Sequence, residues 1–146
     1  MITTITRSAL LMHSAERMYQ LVNDVESYPG YMHGCSGAEI LEQGHDYMVA
    51  RLDLSARGVN YSFATRNRLT ENSRIELNLE QGPFKQLRGE WLFKPLTENA
   101  CKVTLDLSFE FQSTPIALAS TSLFSSVANN LLDAVVARAD KIYAGK

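Results

Sequence analysis

The 146-residue sequence predicts an α+β fold: a curved antiparallel sheet of about seven strands around one long C-terminal helix, with two short helices near the N-terminus. Three observations carry that prediction. Between Cys35 and Phe111 apolar residues recur at every second position through several consecutive segments, as in strands with one wet face and one buried face. A final stretch running to Tyr143 has no internal Gly or Pro, is rich in Ala, and places apolar residues at three- and four-residue intervals. Near the N-terminus a β-branched segment is followed by a short run with helical spacing. A sheet bent round a single helix buries both apolar faces economically. Short helices holding the two apart leave a hollow, which suits a hydrophobic ligand.

The elements follow in order. Ile2 to about Leu11 reads as the first strand. Ser14 is placed to cap a helix, Glu16 adds negative charge to its first turn, and Met18, Leu21, Val22 and Val25 share one face. Asp24 to Tyr28 predicts a second short helix, ended by Pro29, which biases Tyr28 to an extended shape. The period then changes to two. Ala38–Leu41 leads to a turn near Gly44; Met48, Ala50, Leu52 and Leu54 form one face of the next strand, and Gly58 marks its end. Tyr61, Phe63 and Thr65 alternate with Ser62, Ala64 and Arg66 up to a polar tip at Glu71-Asn72-Ser73. Ile75, Leu77 and Leu79 follow, then the turn Gln81-Gly82-Pro83. Leu87, Gly89, Trp91 and Phe93 lie on one face of a long strand. After a tip at Thr97–Ala100 come Val103, Leu105, Leu107, Phe109 and Phe111. Thr114-Pro115 is an N-cap and first-turn pair for the last helix, whose apolar positions are Leu123, Phe124, Val127, Leu131, Val135 and Ile142.

Composition sets limits on function. One domain spanning 1–146 is expected, large enough to bury about 68–70% of its unfolded surface without a disulfide or metal staple. A net charge of −2 argues against a broad nucleic-acid footprint, and DNA is not an expected partner, although a local basic patch can still contact RNA. No apolar run approaches the ~20 residues of a membrane span, so membrane contact is expected to be transient at most. The first residues lack the charged start and apolar core of a signal peptide. With two cysteines, Cys35 and Cys101, this predicts a cytoplasmic protein with reduced thiols. His13, His33 and His45 sit in different segments and no paired metal-ligand spacing occurs, so no metal is expected. There is no Gly-x-Ser-x-Gly elbow and no Gly-rich loop entering a helix. Arg66, Arg68, Glu90 and Asp106 are the polar groups a cyclase-type reaction would draw on, but alternation puts several of them on the solvent face. No catalytic residue and no required cofactor are assigned.

Several stretches together resemble a known family. They are Leu21–Cys35 (LVNDVESYPGYMHGC), Tyr61–Asn67 (YSFATRN), Gly82–Phe93 (GPFKQLRGEWLF), Ala100–Val103, Leu107–Phe111 and Ala137–Tyr143. In order and spacing they are similar to the coenzyme Q-binding, START-like family, whose bacterial members include the ribosome association toxin. The resemblance implies a helix-grip fold and two non-enzymatic activities. One is binding of ubiquinone or another isoprenoid lipid, as carrier or chaperone supporting respiration. The other is binding of the large ribosomal subunit to block its joining with the small one. A polyketide aromatase or cyclase is the distant third. The chain departs from the family after the Tyr-Pro pair, where an aromatic, a proline and a tryptophan are usual and Tyr31, His33 and Gly34 stand here. That departure predicts a softer loop with a smaller apolar contact.

The candidate ligand site is the apolar interior: Tyr28, Pro29, Tyr31, Met32, Phe63, Trp91, Phe93, Phe109, Phe111, Leu123, Phe124 and Val127. Asp24, Tyr28 and Pro29 are read first as the link and exit of the two short helices; the functional alternative is a gate over the mouth, with Tyr28, Tyr31 and Met32 able to repack around a ligand. The Trp91 indole N–H needs a partner if buried, which a carbonyl or water supplies. Burying an isoprenoid tail gains roughly 0.8 kcal/mol per methylene, so such a ligand needs no strong polar contact. For the ribosome, the strand cations Arg51, Arg57, Arg66, Arg68, Lys85, Arg88 and Lys94 are the candidates, with Arg66 and Arg68 chosen as the pair facing it. Binding of quinone is expected first, ribosomal contact second; oligomeric state is not legible.

Overall fold

The computed structural model describes residues 2–56, 58–112 and 115–144, and the side chains of the last helix from Ser120 onward. Strand β1 (Thr3–Leu11) leads into helix α1 (Ala15–Asn23) and a 3-10 turn (Val25–Gly30). Six strands follow: β2 (Cys35–Gln43), β3 (Tyr47–Ala56), β4 (Val59–Thr70), β5 (Arg74–Gln81), β6 (Phe84–Thr97) and β7 (Ala100–Phe111). Helix α2 (Pro115–Ile142) closes the chain. The seven strands form one sheet in the order β1-β7-β6-β5-β4-β3-β2, antiparallel throughout. This is the curved sheet around a long helix that the alternation predicted, a START-like helix-grip fold.

Local chemistry explains the elements. Ser14 caps α1 by accepting a hydrogen bond from the Arg17 amide at 3.1 Å, and Met18, Leu21 and Val22 are buried beneath it. The 3-10 turn corrects one expectation, because it runs through Pro29 to Gly30 instead of stopping before the proline. A proline φ suits 3-10 geometry, and hydrogen bonds from the amides of Ser27 to Asp24 and of Tyr31 to Tyr28 carry the turn without a donor at Pro29. Asp24 links the two helices as well, accepting from the Ser27 hydroxyl at 2.6 Å.

Helix α2 has 28 residues and is about 42 Å long at 1.5 Å per residue. Ser120, Phe124, Ala128, Leu132, Val135 and Ala139 form its buried stripe, at four- and three-residue steps. Leu123, Val127 and Leu131 flank the stripe, half-buried. The Thr114 cap and the cation Arg57 lie outside the described residues. At its far end α2 is tied to the N-terminal elements: His13 Nε2 lies 2.8 Å from Asp140 Oδ1, the Tyr143 hydroxyl donates to the Arg17 carbonyl at 3.4 Å, and Arg17 stacks over the Tyr143 ring.

Candidate functional site: an apolar cavity under the helix

The inner face of the sheet, α1, the 3-10 turn and the middle of α2 enclose a cavity of about 90 Å³. Strand alternation builds its floor. Ala50, Leu52 and Leu54 come from β3, Phe63, Thr65 and Asn67 from β4, and Ile75 and Leu77 from β5. Leu87, Trp91 and Leu107 supply the far side, and Phe124, Val127, Ala128 and Leu131 the roof. Among the described residues no Lys, Arg, Asp, Glu or His side chain lines it.

Six of the twelve predicted ligand residues meet there: Tyr28, Met32, Phe63, Trp91, Phe124 and Val127. The other six lie beside the cavity. Phe109 and Phe111 belong to an aromatic cluster that fixes α2 to the sheet, with Phe124 4.6 Å from Phe109 and 5.9 Å from Phe111. Phe93 stacks on Trp91 at 6.2 Å and meets Tyr19 edge-on. Pro29 stands within the 3-10 turn, and Leu123 flanks the α2 stripe. Tyr31 packs edge-on against Tyr28 at 6.0 Å and lies beneath the Arg138 guanidinium, 5.3 Å away. Alternation alone cannot separate a wall from the layer behind it, because both face inward.

The segment from Tyr28 to Cys35 closes over this interior. The Tyr28 hydroxyl donates to the Val22 carbonyl, and burial pushes its pKa well above the ordinary tyrosine value. Burial likewise pushes Tyr31 up to about 12 and raises Tyr61 further. The Cys35 and Cys101 thiols are unpaired, buried and raised by desolvation. Gly34 has φ +90°, and a Cβ there would come within 2.8 Å of Val127 Cγ2. The loop therefore seats its backbone directly on α2, where a larger side chain at position 34 would collide with Val127 in this conformation.

Sequence reading missed Thr65 and Asn67 as cavity residues and Phe84 as a member of the aromatic cluster beside it. Phe84 joins Phe63, Phe109, Phe111 and Phe124 in the aromatic cluster. A register shift between Phe84 and Gln86 turns it inward against the period set by Leu87. Thr65 and Asn67 share the inward face of Phe63, so the period-2 pattern held the signal for both.

On the outer face, Arg66 and Arg68 are exposed, as alternation predicted. Arg66 is engaged by Glu80 at 3.3 Å and Glu42 at 3.8 Å and lies over the Tyr47 ring, whereas Arg68 has no ion-pair partner among the described residues. Glu90 and Asp106 also face outward, beside Arg74 and Arg88, away from the cavity. At one end of this face, cross-strand pairing sets Leu10 beside Lys102 and Lys102 beside Lys94. Leu10 and Met12 are 72% and 82% exposed there. Among the described residues no helix is long and apolar enough to cross a membrane.

Known proteins share this architecture. The sequence pattern of the family described as polyketide cyclase/dehydrase and lipid transport matches residues 11–136. The chain belongs to that family. Within the polyketide cyclase/dehydrase and lipid transport family it is 48% identical to the ribosome association toxin RatA of Vibrio cholerae, covering 95% of this chain and 96% of that one. The Escherichia coli RatA is 46% identical over 97% of this chain and 90% of its own length. A more distant relative, the mitochondrial coenzyme Q-binding protein COQ10 of Drosophila melanogaster, is 27% identical over 89% of this chain and 52% of that protein. The crystal structure of the Zhui aromatase/cyclase from Streptomyces sp. R1128 superposes with a TM-score of 0.84 over 99% of this chain and 98% of that one; at 19% identity it shows the fold alone.

Proposed function

We propose that this chain is a non-enzymatic cytoplasmic regulator that binds the large ribosomal subunit and limits its association with the small one. The observation that carries this reading is near-full-length identity of 46–48% with relatives named as ribosome association toxins. The coenzyme Q-binding relative, at 27%, stands well behind. Surface chemistry supports it: Arg68, Lys94 and Lys102 have no ion-pair partner among the described residues and are free to meet RNA phosphates. With a net charge of −2, such contact depends on a patch and not on overall attraction. Mixing purified subunits with and without the protein while following light scattering tests the proposal. A dose-dependent loss of the associated particle is expected; association unchanged at stoichiometric excess would reject it.

A second reading, favoured by the cavity, is that a small hydrophobic molecule binds inside and tunes or accompanies the surface activity. Quinone moves from first place to this subordinate one on size. A cavity of about 90 Å³ is smaller than the roughly 150 Å³ that accepts one benzene ring, so a polyprenyl quinone enters only if the Tyr28–Cys35 segment lifts off α2. Cyclase chemistry loses support for a different reason: among the described residues the lining holds no group that ionises near neutral pH, and Arg66, Arg68, Glu90 and Asp106 face away from it. Mass spectrometry of solvent extracts from protein purified without detergent tests the second reading. A stoichiometric apolar molecule supports it; an empty extract, together with no uptake of added quinone, contradicts it.

A further inference from the structure

The cavity wall carries a polar pair on β4. Thr65 and Asn67 lie two residues apart on the inward face of β4 and are 8% and 5% exposed. Buried polar side chains are ordinarily saturated with hydrogen bonds. Here the Thr65 hydroxyl donates to Asn67 Oδ1 at 2.6 Å. That bond uses the hydroxyl proton and occupies the amide oxygen. The Asn67 nitrogen keeps two donors and has no acceptor among the described residues.

The neighbours offer nothing to fill that need. Across β3, Thr65 faces Ala50 and Asn67 faces Met48; across β5 they face Leu79 and Leu77. Of the other polar groups of the lining, the Tyr28 hydroxyl is committed to the Val22 carbonyl and the Asn23 side chain to the Tyr19 hydroxyl, and the Trp91 indole offers only a donor. The donors of Asn67 therefore face a hollow whose lining is otherwise largely apolar.

We propose that Asn67, oriented by Thr65, is the polar end of a ligand subsite that takes one hydrogen-bond-accepting oxygen of an otherwise apolar, uncharged molecule. The inference rests on the second reading above, that the cavity takes a ligand. Ketone-, quinone- or ether-type oxygens satisfy the two N–H groups. A hydrocarbon of the same shape leaves them unpaired, and a carboxylate would lose its hydration with no cation on the wall to replace it. The subsite thus selects neutral carbonyl compounds over hydrocarbons and over fatty acids. Thr65 is a positioning residue: by holding the amide oxygen it turns the nitrogen towards the hollow.

Two isosteric probes test this, acetophenone and α-methylstyrene, which differ in carrying C=O or C=CH2; both are larger than benzene and, like a quinone ring, enter only as the Tyr28–Cys35 segment lifts off α2. Heteronuclear NMR of the wild-type protein should show both probes perturbing cavity residues. The Asn67 side-chain amide signals should shift with acetophenone and stay within noise with α-methylstyrene. In Asn67→Leu the ratio of the two dissociation constants should move about two- to tenfold towards α-methylstyrene, the worth of one hydrogen bond. In Thr65→Val the acetophenone-induced amide shift should shrink. If both probes bind but Asn67 responds to them alike, or the ratio is unmoved in folded Asn67→Leu, the polar subsite is refuted and the cavity reading stands. If neither probe perturbs the cavity at millimolar concentration, both are refuted. Should Asn67→Leu fail to fold, the wild-type amide shift decides alone.

Discussion

Removing the ring of Phe124 is the severest single test of how the helix is gripped. Phe124 is 5% exposed, and its ring lies 4.6 Å from Phe109, 5.0 Å from Phe84, 5.5 Å from Phe63 and 5.9 Å from Phe111. One side chain from α2 thus touches aromatic rings on β4, β6 and β7. Truncating a buried Phe to Ala costs about 3–5 kcal/mol, and edge-to-face pairs add about 0.5–1.5 kcal/mol each beyond their buried area. The upper part of the range is therefore expected for Phe124→Ala. At about 2–4 °C per kcal/mol for a domain of this size, the midpoint should fall by about 8–20 °C. Thermal unfolding followed by circular dichroism reads this directly, with Leu123→Ala as a half-buried neighbour expected to lose only about 1–2 kcal/mol. A loss under about 3 °C for Phe124→Ala, or one no larger than for Leu123→Ala, would mean that the aromatic cluster does not hold the helix.

Three further outcomes are expected. Tyr28, Tyr31 and Tyr61 have pKa values raised by burial, so the folded state keeps their protons longer than the unfolded chain; their contribution is full below about pH 10 and lost as pH rises towards about 12. Tyrosinate absorbance should therefore rise together with unfolding in that window, and native protein showing all six tyrosines ionised near pH 10 would contradict the burial. Gly34→Ala should cost about 1–2 kcal/mol from its left-handed backbone alone, and more from the approach to Val127; unchanged denaturant stability would show that the loop does not seat on α2. Lys94→Glu with Lys102→Glu, and separately Arg66→Glu with Arg68→Glu, should weaken ribosomal binding while shifting the melting midpoint little, since exposed pairs are worth about 0–1 kcal/mol. Subunit binding unaltered in both double variants would remove the outer face from the account.

Much of the fold was legible because strand period and helix period report burial directly. Ile75 and Leu77 on β5, and Val103 to Phe111 on β7, face where alternation placed them. Where the backbone breaks period, the reading failed: the register shift at Phe84/Gln86 hid an aromatic at the centre of the cluster, and the 3-10 turn passed through a proline expected to end it. The site was half legible. Inwardness can be read from sequence, but depth cannot, so Phe93 and Phe109 looked the same as Trp91 and Phe63. Asn67 escaped for another reason. Its neighbours Arg66 and Arg68 drew the strand's polar end outward, and a buried amide is recognised only when its missing partner is seen.

The most direct test of the central claim is sedimentation of the purified protein with isolated large and small ribosomal subunits through separate sucrose gradients. Co-migration with the large subunit alone, weakening steeply as salt rises, is what the account predicts. Protein remaining at the top of both gradients at low salt would contradict it.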